Sequence, residues 1–317
     1  SPKIPRCSGI AFGYDRFFAW LIGLNSVYSE RNRNALKKVM DAGIPVILAT
    51  GKTRYSAETI IAALNLDTPG IYVQGLVIFN GDGSIRHQQT LDPKICRRVM
   101  TVAEDRGFTV LAYSGNRILA HSANERTDDL EKYKEPAVEL VGPLYNILGT
   151  TPINKLVLVG DPRRVKALRW QLDKQLRGEA RLMEAGVHNM CEVLPAGHSK
   201  GRALKLLIKE MGVAAENMLA IGDGENDTEM LQLAGIGVAM GNAIDALKEI
   251  ADTVVSDHTK DGVAEALERF VIPPESDTVS DETSETASDA PASEDSEAAD
   301  STSDNDDNNT EKSETDA

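Results

Sequence analysis

The feature that most limits what this chain can fold into is an alternation near its middle and end. From Asn189 to Phe270 short apolar runs trade places with helical segments. "NMCEVLPAG" precedes a helix from Ser199 to Met211, "NMLAIGD" a helix through Leu231, "GIGVAM" the helix Ile244 to Ala251, and "DTVVS" a last helix to Phe270. Parallel strands need crossover connections, which are usually helical, so β and α segments joined by short links predict a parallel sheet with helices on both faces. The expected fold class is α/β, a doubly wound parallel sheet. Such sheets bind ligands outside the carboxyl ends of their strands. Thr50 and Asp223 both stand at ends of that kind.

The same rhythm opens the chain. Arg31 to Ala42 carries Leu36, Val39 and Met40 on one helical face, and "IPVILAT" reads as a strand buried on both sides. "SAETIIAALNL" and "GIYVQGLVIF" repeat helix and strand. After Phe79 the pattern changes. "NGDG" between two extended runs is a hairpin signal, and Asp92-Pro93 opens a helix that Gly107 closes. "FTVLAY", "RILAHS", a polar helix and "NKLVLVG" follow. A second Asp-Pro start at Asp161-Pro162 begins a helix with Val165, Leu168, Leu172 and Leu176 as its buried stripe. Residues 82–188 therefore form an α+β module inserted between the two halves of the outer fold, 1–81 and 189–270.

Charge separates a further segment. Of 49 acidic and 34 basic residues, 16 acids and one base (Lys312) lie from Val271 to Ala317, so residues 1–270 carry equal numbers of each and the net charge of -15 belongs to the tail. That tail, rich in Ser, Thr, Asp, Glu and Ala, lacks the apolar side chains needed to offset the entropy of ordering, which predicts a disordered acidic segment over 271–317. With no basic face to neutralise phosphates, nucleic acid is not an expected partner. "FFAWLIGL", Phe17 to Leu24, is too short to span a bilayer, for which about 20 residues are needed. Neither a membrane nor secretion is expected. Cys7, Cys96 and Cys191 lie far apart without zinc spacing, which fits a reducing compartment.

Four strand-end features carry chemistry. "LATGKT" supplies the Thr50 hydroxyl and the flexible Gly51. "GHSKG" places Lys200 in the first turn of a helix. "GDGEND" supplies Asp223, Asn226 and Asp227, and "AMGNA" adds a glycine turn with Asn242 as a helix cap. Hydroxyl, ammonium and carboxylates in one crevice suit phosphoryl chemistry, which needs donors for the equatorial oxygens and a hard cation held by oxygens. A calcium-loop reading fails, because the positions that need glycine and glutamate hold Thr228 and Ala234.

On this scaffold, "VLPAGHSKGRALKLL" and "LAIGDGENDTEMLQLAGIGVAMGNA" resemble the haloacid dehalogenase superfamily, and within it the Cof-type phosphatases with a large inserted cap. The resemblance runs from about Ser29 to Phe270, and "GIYVQGLVIF" is similar to the plant and algal plastid branch. It implies a magnesium cofactor, with Asp223 and Asp227 in the metal surroundings. It implies that Thr50, Gly51, Lys200 and Asn226 hold the phosphoryl group, with Thr50 and Lys200 among the catalytic residues. It further implies that 82–188 is the cap, that the substrate is a small phosphorylated metabolite (sugar phosphate, nucleotide or flavin-precursor phosphate), and that the protein resides in the cytoplasm or a chloroplast.

The family's first motif, DxDGT, departs. Its first aspartate is the nucleophile that forms an aspartyl phosphate, and its second is the acid/base. The best local match, Ile10-Ala-Phe-Gly-Tyr-Asp-Arg-Phe, puts Gly13 at the nucleophile position. Asp15 stands at the acid/base and second metal-ligand position, and Arg16 and Phe17 replace Gly-Thr. The expectation is a phosphatase lineage whose nucleophile is missing from this chain. The alternatives are an inactive pseudophosphatase that binds a phosphorylated ligand or protein partner, and a scaffold that works through its tail.

Overall fold

A computed structural model describes residues 29–128, 130, 134–184 and 189–272. Gly13, Asp15, Arg16, Phe17 and the acidic tail beyond Ile272 lie outside the described residues. The strands in chain order are β1 (Gly70–Tyr72), β2 (Val77–Phe79), β3 (Ile85–Gln88), β4 (Thr109–Ser114), β5 (Arg117–Ala120), β6 (Val138–Leu140), β7 (Lys155–Val159), β8 (Ala180–Glu184), β9 (Met190–Pro195), β10 (Leu219–Gly222), β11 (Ile236–Ala239) and β12 (Thr253–Val254). The helices are α1 (Glu30–Asp41), α2 (Glu58–Leu64), α3 (Pro93–Glu104), α4 (Glu125–Asp128), α5 (Pro162–Leu176), α6 (Lys200–Met211), α7 (Thr228–Leu233), α8 (Asp245–Ile250) and α9 (Gly262–Phe270).

The starts of the longer helices α1, α3, α5 and α6 follow from local side-chain chemistry. Ser29, Asp92, Asp161 and Ser199 each accept a bond from a first-turn amide, and Pro93 and Pro162 occupy the first helical position where a missing N–H costs nothing. Gly212 ends α6 in the left-handed region, at φ 69°.

β10, β11 and β12 pair in parallel, as the alternation predicts. Burial follows a period of two. Val46, Leu48, Leu219 and Ile221 pack with Leu36 and Val39 of α1 and Val263 and Leu267 of α9. Ile47, Ala49 and Ala220 pack instead with Leu204 and Leu207 of α6 and Leu247 of α8. Successive residues of an extended run face opposite layers, so helices cover both faces of this sheet.

Two local expectations change. "GIYVQGLVIF" is not one strand. β1 and β2 pair antiparallel, and Val73, Gln74 and Gly75 turn the chain between them with φ of 52°, 62° and 87°. The run "IPVILAT" is extended and buried, and among the described residues it meets β1 through one parallel bridge, Ala49 to Ile71. The hairpin across Asn80–Gly83 is present, with β2 antiparallel to β3.

The third sheet has six strands in the order β6-β5-β4-β7-β9-β8. The sequence boundary at residue 189 gives way here, because β9 pairs antiparallel with both β7 and β8 and so completes the sheet of the preceding module. A fully buried run of six residues suits a central strand of either sheet, so periodicity alone could not assign it. One face of this sheet, with Val110, Leu156, Leu158, Cys191 and Val193, packs under α3 and α5, and Val165, Leu168, Leu172 and Leu176 are all buried there. The opposite face, with Leu111, Tyr113, Val157 and Leu194, joins the core that contains Leu48 and Ile221.

Candidate functional site

Thr50 ends the extended run and is buried. Its amide donates to the Ile71 carbonyl at 2.9 Å, and its Oγ1 accepts from the Lys52 amide at 3.2 Å, which turns the chain out of the strand. The next residue, Gly51, leaves room for a side chain laid over it. A Cβ at Gly51 would sit 2.6 Å from Nε2 and 2.8 Å from Cδ of Gln74, whose carboxamide lies directly over it. A similar constraint holds at Gly75, where a Cβ would lie 2.5 Å from the Ser199 carbonyl and 2.7 Å from the Lys200 amide. The left-handed turn is thereby pressed against the first turn of α6, beside Lys200.

Lys200 is 5% exposed and Asp227 4%. The Lys200 ammonium donates to Asp227 Oδ1 at 2.9 Å. Asp227 Oδ2 accepts from the amides of Asp223 and Gly224 at 3.1 and 3.0 Å. Asp227, expected as a metal ligand, thus spends both oxygens on holding Lys200 and the loop. Its carboxylate is the organiser that lets the acidic loop close over a strand end.

Asp223 is the carboxylate better placed for a cation. It is half-buried, and its Oδ2 accepts from Asn242 Nδ2 at 3.0 Å. Asn242 is not a helix cap: α8 starts at Asp245 after Ile244, while the Asn242 side chain reaches back to Asp223 and accepts from the His258 amide at 3.0 Å. Among the described residues no group of three His, Cys, Asp or Glu side chains is arranged to hold a metal ion. Magnesium fits the donors nonetheless, because it retains waters and takes as few as one or two carboxylates together with substrate phosphate. Asp223 would hold it, and Asp15, outside the described residues, is the other donor named by sequence.

Asn226 is tied to the far loop, with its Nδ2 donating to Gln74 Oε1 at 2.8 Å. Gln74 connects back to the first loop, since its amide donates to the Thr50 carbonyl at 3.3 Å. Thr50, Gly51 and Asn226 therefore meet through Gln74, Lys200 and Asp223 meet through Asp227, and the two groups share the loop 223–227.

The sequence reading passed over a buried polar cluster on the six-stranded sheet. Glu192 Oε1 accepts from Lys155 Nζ at 2.6 Å, and Glu192 Oε2 accepts from Gln74 Nε2 at 3.0 Å. Lys155 also donates to the Gly51 carbonyl at 3.3 Å and lies 4.5 Å from the Tyr113 ring centroid. Glu135 accepts from Thr53 Oγ1 at 2.7 Å and Ser56 Oγ at 3.0 Å. Burial pushes the Tyr113 phenol well above its ordinary range, and the Glu135 and Glu192 charges add to the effect. The available signal was a charged residue inside each apolar strand, Lys155 in "NKLVLVG" and Glu192 in "NMCEVLPAG".

The haloacid dehalogenase-like hydrolase family matches residues 21–267. A relative from Arabidopsis thaliana named endoribonuclease YBEY, chloroplastic, is 31% identical over 260 residues, covering 79% of this chain and 44% of its own length. The chain thus spans less than half of that relative. A Bacillus subtilis relative named 5-amino-6-(5-phospho-D-ribitylamino)uracil phosphatase YwtE is 27% identical over 277 residues, 79% of this chain and 94% of its own. A solved haloacid dehalogenase-like hydrolase from Bacteroides thetaiotaomicron superposes with a TM-score of 0.73 at 26% identity, over 80% of this chain and 99% of the other.

Proposed function

The chain belongs to the haloacid dehalogenase-like hydrolase family, and on that premise we propose that its strand ends form a magnesium-dependent site for phosphate monoesters of small metabolites. The observation that carries this reading is the buried Lys200–Asp227 pair, with the half-buried Asp223 carboxylate on the same loop and the Thr50 turn tied to that loop through Gln74 and Asn226. Thr50 Oγ1 and the amides of the Gly51 turn supply donors for phosphoryl oxygens. Lys200, fixed by Asp227, supplies positive charge next to them. A bound magnesium ion would offset negative charge on the phosphate, and Asp223 is the residue that would hold it.

Residues 82–188 together with β9 act in this reading as the cap that closes over the substrate. The relatives' names point to substrates such as a ribityl-amino-uracil phosphate, and sugar phosphates and nucleotides belong to the same chemical class. Cytoplasm or chloroplast is the proposed location, the latter supported by a relative named chloroplastic. Among the described residues no helix is long and apolar enough to cross a membrane.

Aspartyl-phosphate chemistry needs a carboxylate where the sequence match places Gly13. The chain as it stands is therefore expected to bind magnesium and phosphate without turnover, which is also the pseudophosphatase reading. The test is a magnesium-dependent assay of phosphate esters on this chain and on a Gly13→Asp, Arg16→Gly, Phe17→Thr variant. Turnover only by the variant supports the proposal, and no turnover of any ester by the variant overturns the phosphatase reading.

A further inference from the structure

The cluster on the six-stranded sheet is continuous with the site loops. The Gly51 carbonyl accepts from Lys155, Lys155 donates to Glu192 Oε1, Glu192 Oε2 accepts from Gln74, and Gln74 Oε1 accepts from Asn226. The path starts in the loop after Thr50, passes through β7 and β9, and ends in the loop after β10. It closes on itself, because the Gln74 carboxamide packs on Gly51, where a Cβ would displace it.

Two features mark this as more than surface hydrogen bonding. Lys155 and Glu192 are 2% and 6% exposed, and burying an ion pair is costly unless its geometry and remaining bonds are good. Gln74 is held at φ 62° between Val73 at 52° and Gly75 at 87°. Left-handed backbone at a β-branched valine is an outlier that persists only where the surroundings over-determine it. Here they do: the Val73 amide donates to the Lys52 carbonyl, the Gln74 amide to the Thr50 carbonyl, and the Gln74 side chain bonds at both ends. The strained turn lays one carboxamide over Gly51 and bonds it to Glu192 of β9 and to Asn226 of the loop after β10.

We propose that Gln74, Glu192 and Lys155 are positioning residues that lock the loop after Thr50 and the loop after β10 into one register, set from the six-stranded sheet. Glu192 and Lys155 act through Gln74 and the Gly51 carbonyl and touch no phosphate themselves. This rests on the phosphate-site reading for its purpose, though the mechanical coupling stands apart from it. Because coupling is reciprocal, phosphate seated on the loops stabilises the ends of β7 and β9 in return.

The experiment is amide hydrogen exchange on the full chain, with and without magnesium plus inorganic phosphate, comparing the parent with Gln74→Met and Glu192→Gln. Gln74→Met keeps the volume over Gly51 and removes both side-chain bonds, so it tests the relay even where Glu192→Gln unfolds by leaving Lys155 unpaired. The expected result is that exchange at 50–53 and at 223–227 rises together, by about tenfold for two lost bonds of which one is to a carboxylate, while α5 is unchanged. Inorganic phosphate with magnesium is also expected to slow exchange at residues 155 and 192 in the parent and not in Gln74→Met. Parent-like exchange at both loops in Gln74→Met, or a response at only one loop, overturns the proposal. If the loops respond together but the parent binds no phosphate, the coupling stands and the phosphate-site reading falls.

Discussion

Lys200–Asp227 and Lys155–Glu192 are chemically the same kind of pair. Each joins an ammonium to a carboxylate, at 2.9 and 2.6 Å, with side chains no more than 8% exposed. They differ in what else the carboxylate does. Asp227 Oδ2 holds two amides of its own loop, so it belongs to a local turn, whereas Glu192 Oε2 holds a side chain from a distant turn, Gln74. The first carboxylate closes its own loop onto the start of α6, and the second joins two strands to a distant turn. A buried ion pair therefore says little by itself, and its role is read from the second partner.

The largest expected effects break this comparison directly. Removing one partner, as in Lys200→Met or Glu192→Leu, strands a buried charge and is expected to cost about 3–5 kcal/mol, read from urea unfolding midpoints. The double replacements should then diverge. Lys155→Met with Glu192→Leu is expected to regain more of the loss, since an apolar pair of similar volume replaces a buried ion pair well and one carboxamide donor, that of Gln74, loses its acceptor. Lys200→Met with Asp227→Leu should remain about 1–3 kcal/mol short, because two part-buried amides lose their acceptor. Equal recovery would show that the two pairs do the same work.

Gly51→Ala comes next. The new methyl meets the Gln74 carboxamide at 2.6 Å, and the carboxamide must swing aside and give up its bonds to Glu192 and Asn226, a cost of about 1–3 kcal/mol. The same unfolding measurement checks it, and no added cost of Gly51→Ala in a Gln74→Ala background would localise the clash. Ser199→Ala removes the α6 cap bond to the Arg202 amide and is expected to cost about 1 kcal/mol. It should also loosen Lys200, the next residue, more than Lys155.

The smallest effect lies at alkaline pH. Burial pushes the Cys96 thiol and the Tyr72 phenol each up to about 12. Both are neutral in the fold and ionise more readily when unfolded, so the stability they contribute is complete below the unfolded values and is lost as pH rises toward 12. Thermal unfolding from pH 8 upward should decline first through the cysteine, and Cys96→Ala should flatten that first part. An unchanged alkaline slope would contradict this assignment.

The alternation in residues 189–270 made the parallel sheet legible because β10 and most of β11 are buried and α6 is punctuated by its Ser199 cap and by Gly212. Thr50, Lys200, Asp223, Asn226 and Asp227 were legible for the same reason, as polar residues at strand ends or helix starts. The Lys155–Glu192 pair was not. In the β7–β9 register Glu192 stands opposite Val157, so Lys155, two residues before, is its diagonal neighbour on one face. That neighbour relation exists only after two strands 37 residues apart have paired. Gln74 was hidden differently: a glutamine inside an apolar run reads as strand, and only the backbone shows that it sits in a left-handed turn.

In the proposed site, the loop carrying Asp223 and the turn at Thr50 hold phosphate together with magnesium. The most direct measurement is calorimetric titration of inorganic phosphate into the full chain, with and without magnesium, against Asp223→Ala. The account predicts phosphate binding that requires magnesium and weakens at least about tenfold in Asp223→Ala, as expected for loss of a charged ligand. Phosphate binding that ignores both magnesium and Asp223, or no binding at all, would contradict it.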